Sequence, residues 1–410
     1  MTATRPTRHI AGRNTRWTNR HPPRPQGSPD SVPTGDVDPV KTPAIIRSGW
    51  WVAVAAVGVS VVVTTILIIP IFAGRGSDRV SPEFNLANPI VPPELIVRAM
   101  ARDGVRTLLE PATIEAAEVD RFNEEERGKL LVSDDRVIGI AIGGEARAYP
   151  LRLMRWHEVV NDVVGGKPVA VTYSPLCDSV VVFSREIDDA IIELGVSGLL
   201  YQSNTLLYDR RAKPAEATLW TQLTGRPVAG PDPSAASSLA LELADLTTWG
   251  AWRHSHPDTR ILAPLPELKK LYKRDPYHSY FGSDLLRFPV DPIPPSSDLR
   301  FKDRVVVVTI DGVDHVFALS HLAQTAGGAH GDIEVEASGL PLRIRFRLDP
   351  GVASVEPLSD LERLQAIRYT FWFAWHAMTV EPPGLPKSAS ILSDFCPKRR
   401  TIPDTIRDAG

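Results

Sequence analysis

The sequence predicts an α+β fold of mostly antiparallel strands with packed helices, preceded by one transmembrane helix. Three observations predict it. Residues 48–74 form a charge-free apolar run, short Val- and Ile-rich runs alternate with turn residues over 136–318, and one hairpin-like stretch recurs 168 residues downstream. The recurrence also predicts internal duplication of a hairpin-plus-helix unit.

In chain order, residues 1–47 are rich in Arg, Pro, Thr and Ser without apolar periodicity, the composition of a disordered cytoplasmic tail. Residues 48–74 read "SGWWVAVAAVGVSVVVTTILIIPIFAG", and these 27 residues would extend ~40 Å as a helix, beyond the ~30 Å hydrocarbon core. Trp50 and Trp51 fall where an interfacial aromatic belt sits. Basic residues before the run (Arg5 to Arg47) outnumber those after it (Arg75 and Arg79). That bias expects a single-pass cell-membrane protein, N-terminus cytoplasmic and main domain extracytoplasmic. Ile71-Phe72-Ala73 makes a poor cleavage site, which favours a retained anchor over a signal peptide. Residues 75–95 read as a linker, 96–265 as a first repeat, 266–300 as a Pro-rich connection, 301–385 as a second, shortened repeat, and 386–410 as a C-terminal tail.

The repeat rests on two matches. "RVIGIAIGGEARAYPL" (136–151) aligns without a gap on "RVVVVTIDGVDHVFAL" (304–319), each a β-hairpin pattern. "TTWGAWRHSHPDTRIL" (247–262) resembles "YTFWFAWHAMTVEPPG" (369–384) at an offset of 123, so the second copy is 45 residues shorter. Strands are predicted at 136–142, 145–150, 168–174, 179–185, 191–197, 204–209, 304–310 and 314–318, and helices at 93–103, 151–162, 236–254 and 360–378. Polar residues concentrate between the matching ends of copy one, so a functional site is expected there.

Charge and cysteine usage limit the function classes. With 46 basic against 49 acidic residues, nucleic acid is not expected as a partner. Two cysteines allow one bridge at most, Cys177 to Cys396, and no Cys/His spacing fits structural zinc.

Four stretches carry candidate chemistry. On the predicted helix from Leu151, His157 and Asn161 share a face; either His157 is a base or ligand oriented by Asn161, or it is a half-buried histidine satisfied by a carbonyl. In "TYSPLC", Pro175 marks a turn that displays Ser174 and Cys177, a spacing used by thiol-redox sites; the alternative is a buried structural cysteine. "GVSGLLYQSNTLLYDRR" places Tyr201, Ser203 and Asn204 around a turn, and Gln222 follows in "LWTQ". These hydroxyls and amides would line a polar cleft or satisfy turn backbones.

The stretches "ARAYPLRLMRWHEVVNDVVGGKPVAVTYSPLCDS", "GVSGLLYQSNTLLYDRR", "LWTQLTGRPVAG" and "TTWGAWRHSHPDTRIL" together resemble the prokaryotic family catalogued as domain of unknown function 3179. The resemblance covers about 130–262 strongly and "FWFAW" weakly. It implies a Cys-Pro-Leu-Cys pattern and, from selenoprotein relatives, redox use of a chalcogen. This chain departs from the pattern with Ser174 at the first cysteine position, and carries an extra "AKPAEA" (212–217). Only a one-cysteine mechanism, a distant partner such as Cys396, or metal ligation would then remain.

Three readings follow. One is a membrane-anchored enzyme with Cys177, His157 and Asn161 catalytic and Ser174, Tyr201, Ser203, Asn204 and Gln222 holding substrate. The second is a non-catalytic envelope module that binds a small molecule or partner. The third is a copper- or zinc-binding protein using Cys177 and His157. No cofactor is identified by any of these residues. Proximity of Cys177 to His157 separates the first and third from the second.

Overall fold

The computed structural model describes residues 83–125, 130–210, 212–295 and 298–380. The segments expected to be the tail (1–47), the membrane helix (48–74) and the C-terminal tail (386–410) lie outside the described residues.

The α+β expectation is corrected. Among the described residues the chain is mostly β, with twenty-three strands against six short α-helices. None of the described helices is long and apolar enough to cross a membrane. Each predicted helix contains a strand. Residues 93–103 give a 3-10 turn, Pro93–Leu95, and an edge strand, Ile96–Arg98. The helix from Leu151 stops at His157 and is followed by the strand Val159–Val164. Likewise Asp245–Thr248 is a strand before the helix Trp249–Ser255, and Leu364–Phe371 a strand before Trp372–Thr379. The physical reason is double burial. Val159–Asn161 and Ile367–Phe371 are buried at every position, and a strand covered on both faces loses the alternation that distinguishes it from a helix.

Two large sheets share one topology. One runs Val159–Val164, Lys167–Ser174, Ser179–Ser184, Leu364–Phe371, Arg304–Ile310, Val313–Ala318. The other runs His330–Ala337, Leu340–Arg347, Val352–Pro357, Asp245–Thr248, Arg136–Ile142, Glu145–Pro150. Each sheet thus joins the three-stranded meander of one half to the closing strand and hairpin of the other. The junctions are single bridges in equivalent registers, Tyr369 opposite Val180 and Leu246 opposite Ala353. Arg136 pairs with Thr248 as Arg304 pairs with Phe371. The offset between halves is 168 across the hairpins, 173 across the meanders and 123 across the closing strands. The extra length of the first half therefore lies between its meander and its closing strand.

That extra length supplies four strands of a third sheet, Leu194–Tyr201, Asn204–Asp209, Leu219–Thr221 and Pro227–Ala229 in order, with Ile96–Arg98 added at the edge beside Leu194–Tyr201. Side chains from both large sheets form one core, including Ile138, Tyr149, Val171, Val182, Val308, Ile344 and Phe346. Each such buried side chain contributes roughly 1.5–3 kcal/mol relative to exposure. A second cluster, holding Cys177, Val196, Trp220, Tyr280 and Phe371, lies where the third sheet meets the first.

Candidate functional site

The first-half meander turns at Ser174–Ser179. Pro175 cannot extend the ladder, and Cys177 N and Asp178 N close the turn on Ser174 O and Pro175 O at 3.2 Å each. Cys177 is 0 % exposed. Its Sγ donates to Ser203 O at 3.3 Å, and its carbonyl accepts from Phe371 N at 2.8 Å and Thr370 Oγ1 at 3.2 Å. Burial pushes the thiol up to about 12; hydrogen bonds from Asn204 and Ser174 oppose the shift, and the Asp178 charge adds to it. The thiolate is therefore disfavoured in the folded chain.

His157 does not reach this thiol. Its Nδ1 donates to Arg106 O at 2.6 Å, which leaves Nε2 to accept from Tyr272 Oη at 2.7 Å. Burial pushes the imidazole below its ordinary value, so the ring is neutral. Asn161, on the following strand, does not orient it. Its amide exchanges 2.8 Å hydrogen bonds with Leu194 N and O, substituting for a strand pairing between the first and third sheets.

The predicted substrate residues divide. Ser174 Oγ accepts from Thr205 N at 3.3 Å and shares a hydroxyl–hydroxyl hydrogen bond with Thr205 Oγ1 at 3.1 Å. Ser203 Oγ donates to Phe288 O at 3.1 Å. Asn204 Nδ2 donates to Gln222 Oε1 at 3.0 Å, Asn204 Oδ1 accepts from Leu223 N at 3.0 Å, and Gln222 Nε2 donates to Thr172 Oγ1 at 2.9 Å. Ser174, Ser203, Asn204 and Gln222 thus meet around the Cys177 turn; Asn204 and Gln222 bond each other, while Ser174 and Ser203 are taken up by Thr205 and Phe288 O. Tyr201 packs instead in a separate cluster with Phe84, Leu206 and Val228.

The open chemistry lies one residue from His157. Glu158 ends its helix with φ 57°, a conformation uncommon outside glycine and a sign of a constrained position. Its carbonyl accepts from Tyr173 N at 2.8 Å, and its N–H donates to Met154 O at 2.8 Å. The side chain lines a pocket of about 190 Å³ with Met100, Leu199, Leu200, Thr205, Tyr277 and Phe288. Glu158 is 3 % exposed, and Thr205 Oγ1 donates to its Oε2 at 3.1 Å. Burial pushes the carboxyl up to about 7, with Thr205 opposing. Tyr277 is raised by its own burial and by the Glu158 charge. Arg287, an exposed member of the lining, lies 5.0 Å from the Tyr280 ring. A carboxyl poised near neutrality beside apolar walls can give or take a proton or a hydrogen bond.

Beside the turn sits a buried charge cluster. Asp178 accepts from Arg136 Nη1 at 3.0 Å on both oxygens, from Arg304 Nε at 2.6 Å and from Tyr173 Oη at 2.7 Å. Burial raises this carboxyl, but the two guanidiniums outweigh it and hold it well below the usual range. Arg136 and Arg304 begin the two repeated hairpins, so both halves converge on one carboxylate.

Sequence reasoning missed Glu158, Thr205, Tyr277 and Arg287. A lone carboxylate before Val159-Val160 was the available signal for Glu158. Tyr277 and Arg287 fall in the segment read as a Pro-rich connection and carried none. Among the described residues no group of three or more His, Cys, Asp or Glu side chains is arranged to hold a metal. Cys396, the possible partner of Cys177, lies outside the described residues.

Neither the curated proteins nor the solved structures gave a match in comparisons with this chain. A family profile described as "Protein of unknown function (DUF3179)" does match. It spans residues 103–354, more than half of the 410, and stops short of the closing strand Leu364–Phe371; the chain belongs to that family.

Proposed function

We propose that the protein is a binding module for a small, largely apolar molecule with one hydrogen-bonding head group. The observation that supports this reading is the Glu158 pocket: a buried carboxyl near pH 7 facing Met100, Leu199, Leu200 and Phe288. Such a pocket, mostly apolar with a few convergent polar groups and a perturbed carboxyl, is the form small-molecule sites take. The head group would meet Glu158 and Thr205, and the body would meet the apolar walls. The sealed thiol and the separately bonded imidazole give thiol redox and soft-metal ligation no comparable support. One second reading is favoured by the same carboxyl, acid–base catalysis on the bound molecule.

The test uses six-carbon probes that share a body and differ in head: hexylamine, hexanol and hexanoate, followed by ligand-observed NMR. At least one should bind saturably and be displaced in the pocket-filling variant Ala99→Trp. The ranking of heads should change between pH 6 and 8, and Glu158→Gln should abolish that change. Probes that bind equally well to Ala99→Trp, or a pH-dependent ranking that survives Glu158→Gln, would sink the reading.

A further inference from the structure

We propose that a second pocket binds a phosphate-type oxyanion, as the free ion or as a monoester. It lies between Asp134–Arg136, the first turns of the helix Leu151–His157, residues 272–275 and Pro350, with a volume of about 200 Å³. It shares no lining residue with the Glu158 pocket, so it stands independently of the reading above.

The lining carries five cations, Arg136, Arg152, Arg155, Lys273 and Arg274, against three carboxylates. Each carboxylate is already matched: Asp134 by Arg347 at 2.8 Å, Asp135 by Arg152 at 3.7 Å and Asp275 by Arg155 at 2.7 Å. Lys273 and Arg274 are exposed cations with no ion pair among the described residues. The inner wall is Arg136, 8 % exposed, whose Nη1 is engaged by Asp178. Its Nε and Nη2, and the Nε of Arg155, have no hydrogen-bond partner among the described residues but are closed to the pocket, so the surplus charge of the rim carries the site.

A tetrahedral dianion answers that surplus. Its charge matches the surplus of two cations, and its several oxygens suit guanidinium forks. A carboxylate brings one charge and fewer acceptors. Asp178, held from three sides, fixes the Arg136 plane against this wall in advance of any ligand.

The experiment is calorimetric titration of the full chain at constant ionic strength and pH 7.5, with inorganic phosphate, phenyl phosphate and acetate. Phosphate should bind saturably at one site and more tightly than acetate. Lys273→Ala/Arg274→Ala, on the exposed rim, should weaken it by about fivefold or more, without changing thermal unfolding. Glu158→Gln should leave it unchanged. Tighter binding of phenyl phosphate would assign the site to an ester, and tighter binding of inorganic phosphate to the free ion. The proposal is overturned if phosphate binding never saturates, if acetate matches it, or if the double variant binds as well as the parent chain.

Discussion

Two turns, Ser174–Ser179 and Arg347–Val352, occupy the same register in the two meanders and differ in their side chains and in one peptide bond, Asp349-Pro350 being cis. In the first, Cys177 is sealed beneath Tyr280, whose Oη donates to Leu176 O at 2.9 Å, and Asp178 ties Arg136 to Arg304. In the second, the equivalent residues are Pro350, which lines an open basic pocket, and Gly351. Asp178 and Gly351 both adopt positive φ, 46° and 84°. A Cβ at Gly351 would meet Arg304 Nη1 at 2.6 Å. The repeat thus preserves register and a positive φ at the same position while placing the carboxylate that joins the two guanidiniums in one copy only. One carboxylate serves the guanidiniums of both halves, and the empty twin makes room for Arg304.

The comparison breaks most severely at Asp178. Asn tolerates the left-handed backbone, so Asp178→Asn removes the charge and leaves the buried Arg136 and the half-buried Arg304 without their shared carboxylate. The expected loss is about 3–5 kcal/mol in chemical denaturation. Because the folded carboxyl titrates below its unfolded value, its contribution is complete above the ordinary carboxylate range. It is lost as pH falls through the folded value. A stability curve between pH 3 and 5 as flat as that of the Asn variant would contradict this.

Glu158 should show the opposite slope. Its carboxyl titrates at about 7 when folded against 4.5 as an ordinary glutamate. Between those values the folded state holds a proton the unfolded state has lost, so stability falls as pH rises, by up to about 3 kcal/mol. Denaturation midpoints of Glu158→Gln should be flatter than those of the parent over pH 4.5–7. Parallel curves would mean the carboxyl ionises normally.

Gly351→Ala tests the empty twin directly. Positive φ and the Arg304 contact together should cost about 1–3 kcal/mol, whereas Gly339→Ala, at φ 74° with nothing within 4 Å of its Cβ, should cost only the backbone share of about 1 kcal/mol. Equal losses would remove the steric part of the argument. The smallest effect concerns Cys177. Iodoacetamide labelling of the folded chain should be limited by opening and rise smoothly with pH, without a step near pH 6.5. A step there would restore the thiol–imidazole pair.

What could be read in the sequence follows from which interactions are local. The hairpins at 136–151 and 304–319 align at an offset of 168, and their strands occupy registers with that same offset, because hairpin pattern and turn residues are neighbours in the chain. Arg136 and Arg304 stood at the head of both aligned strings, yet their common partner could not be seen, since Asp178 lies 42 and 126 residues away. The segments 151–162 and 360–378 misled for a different reason. Burial on both faces erased the period of two, and only Glu158 and Phe371 mark where helix and strand exchange. His157 and Asn161 were expected on one helix face, but the chain reverses between them.

The interleaving of the two large sheets bears on how the chain reaches its native state. The open edge of Ser179–Ser184 at Val180 has no partner until residue 369 has been made, and Leu246 waits on Ala353. Neither copy can therefore mature alone as it leaves the ribosome. The decisive pairings close loops of more than a hundred residues, which places assembly late and makes it all-or-none. A cut anywhere in the connecting stretch would leave two fragments, each holding half of two sheets and each complementary only to the other.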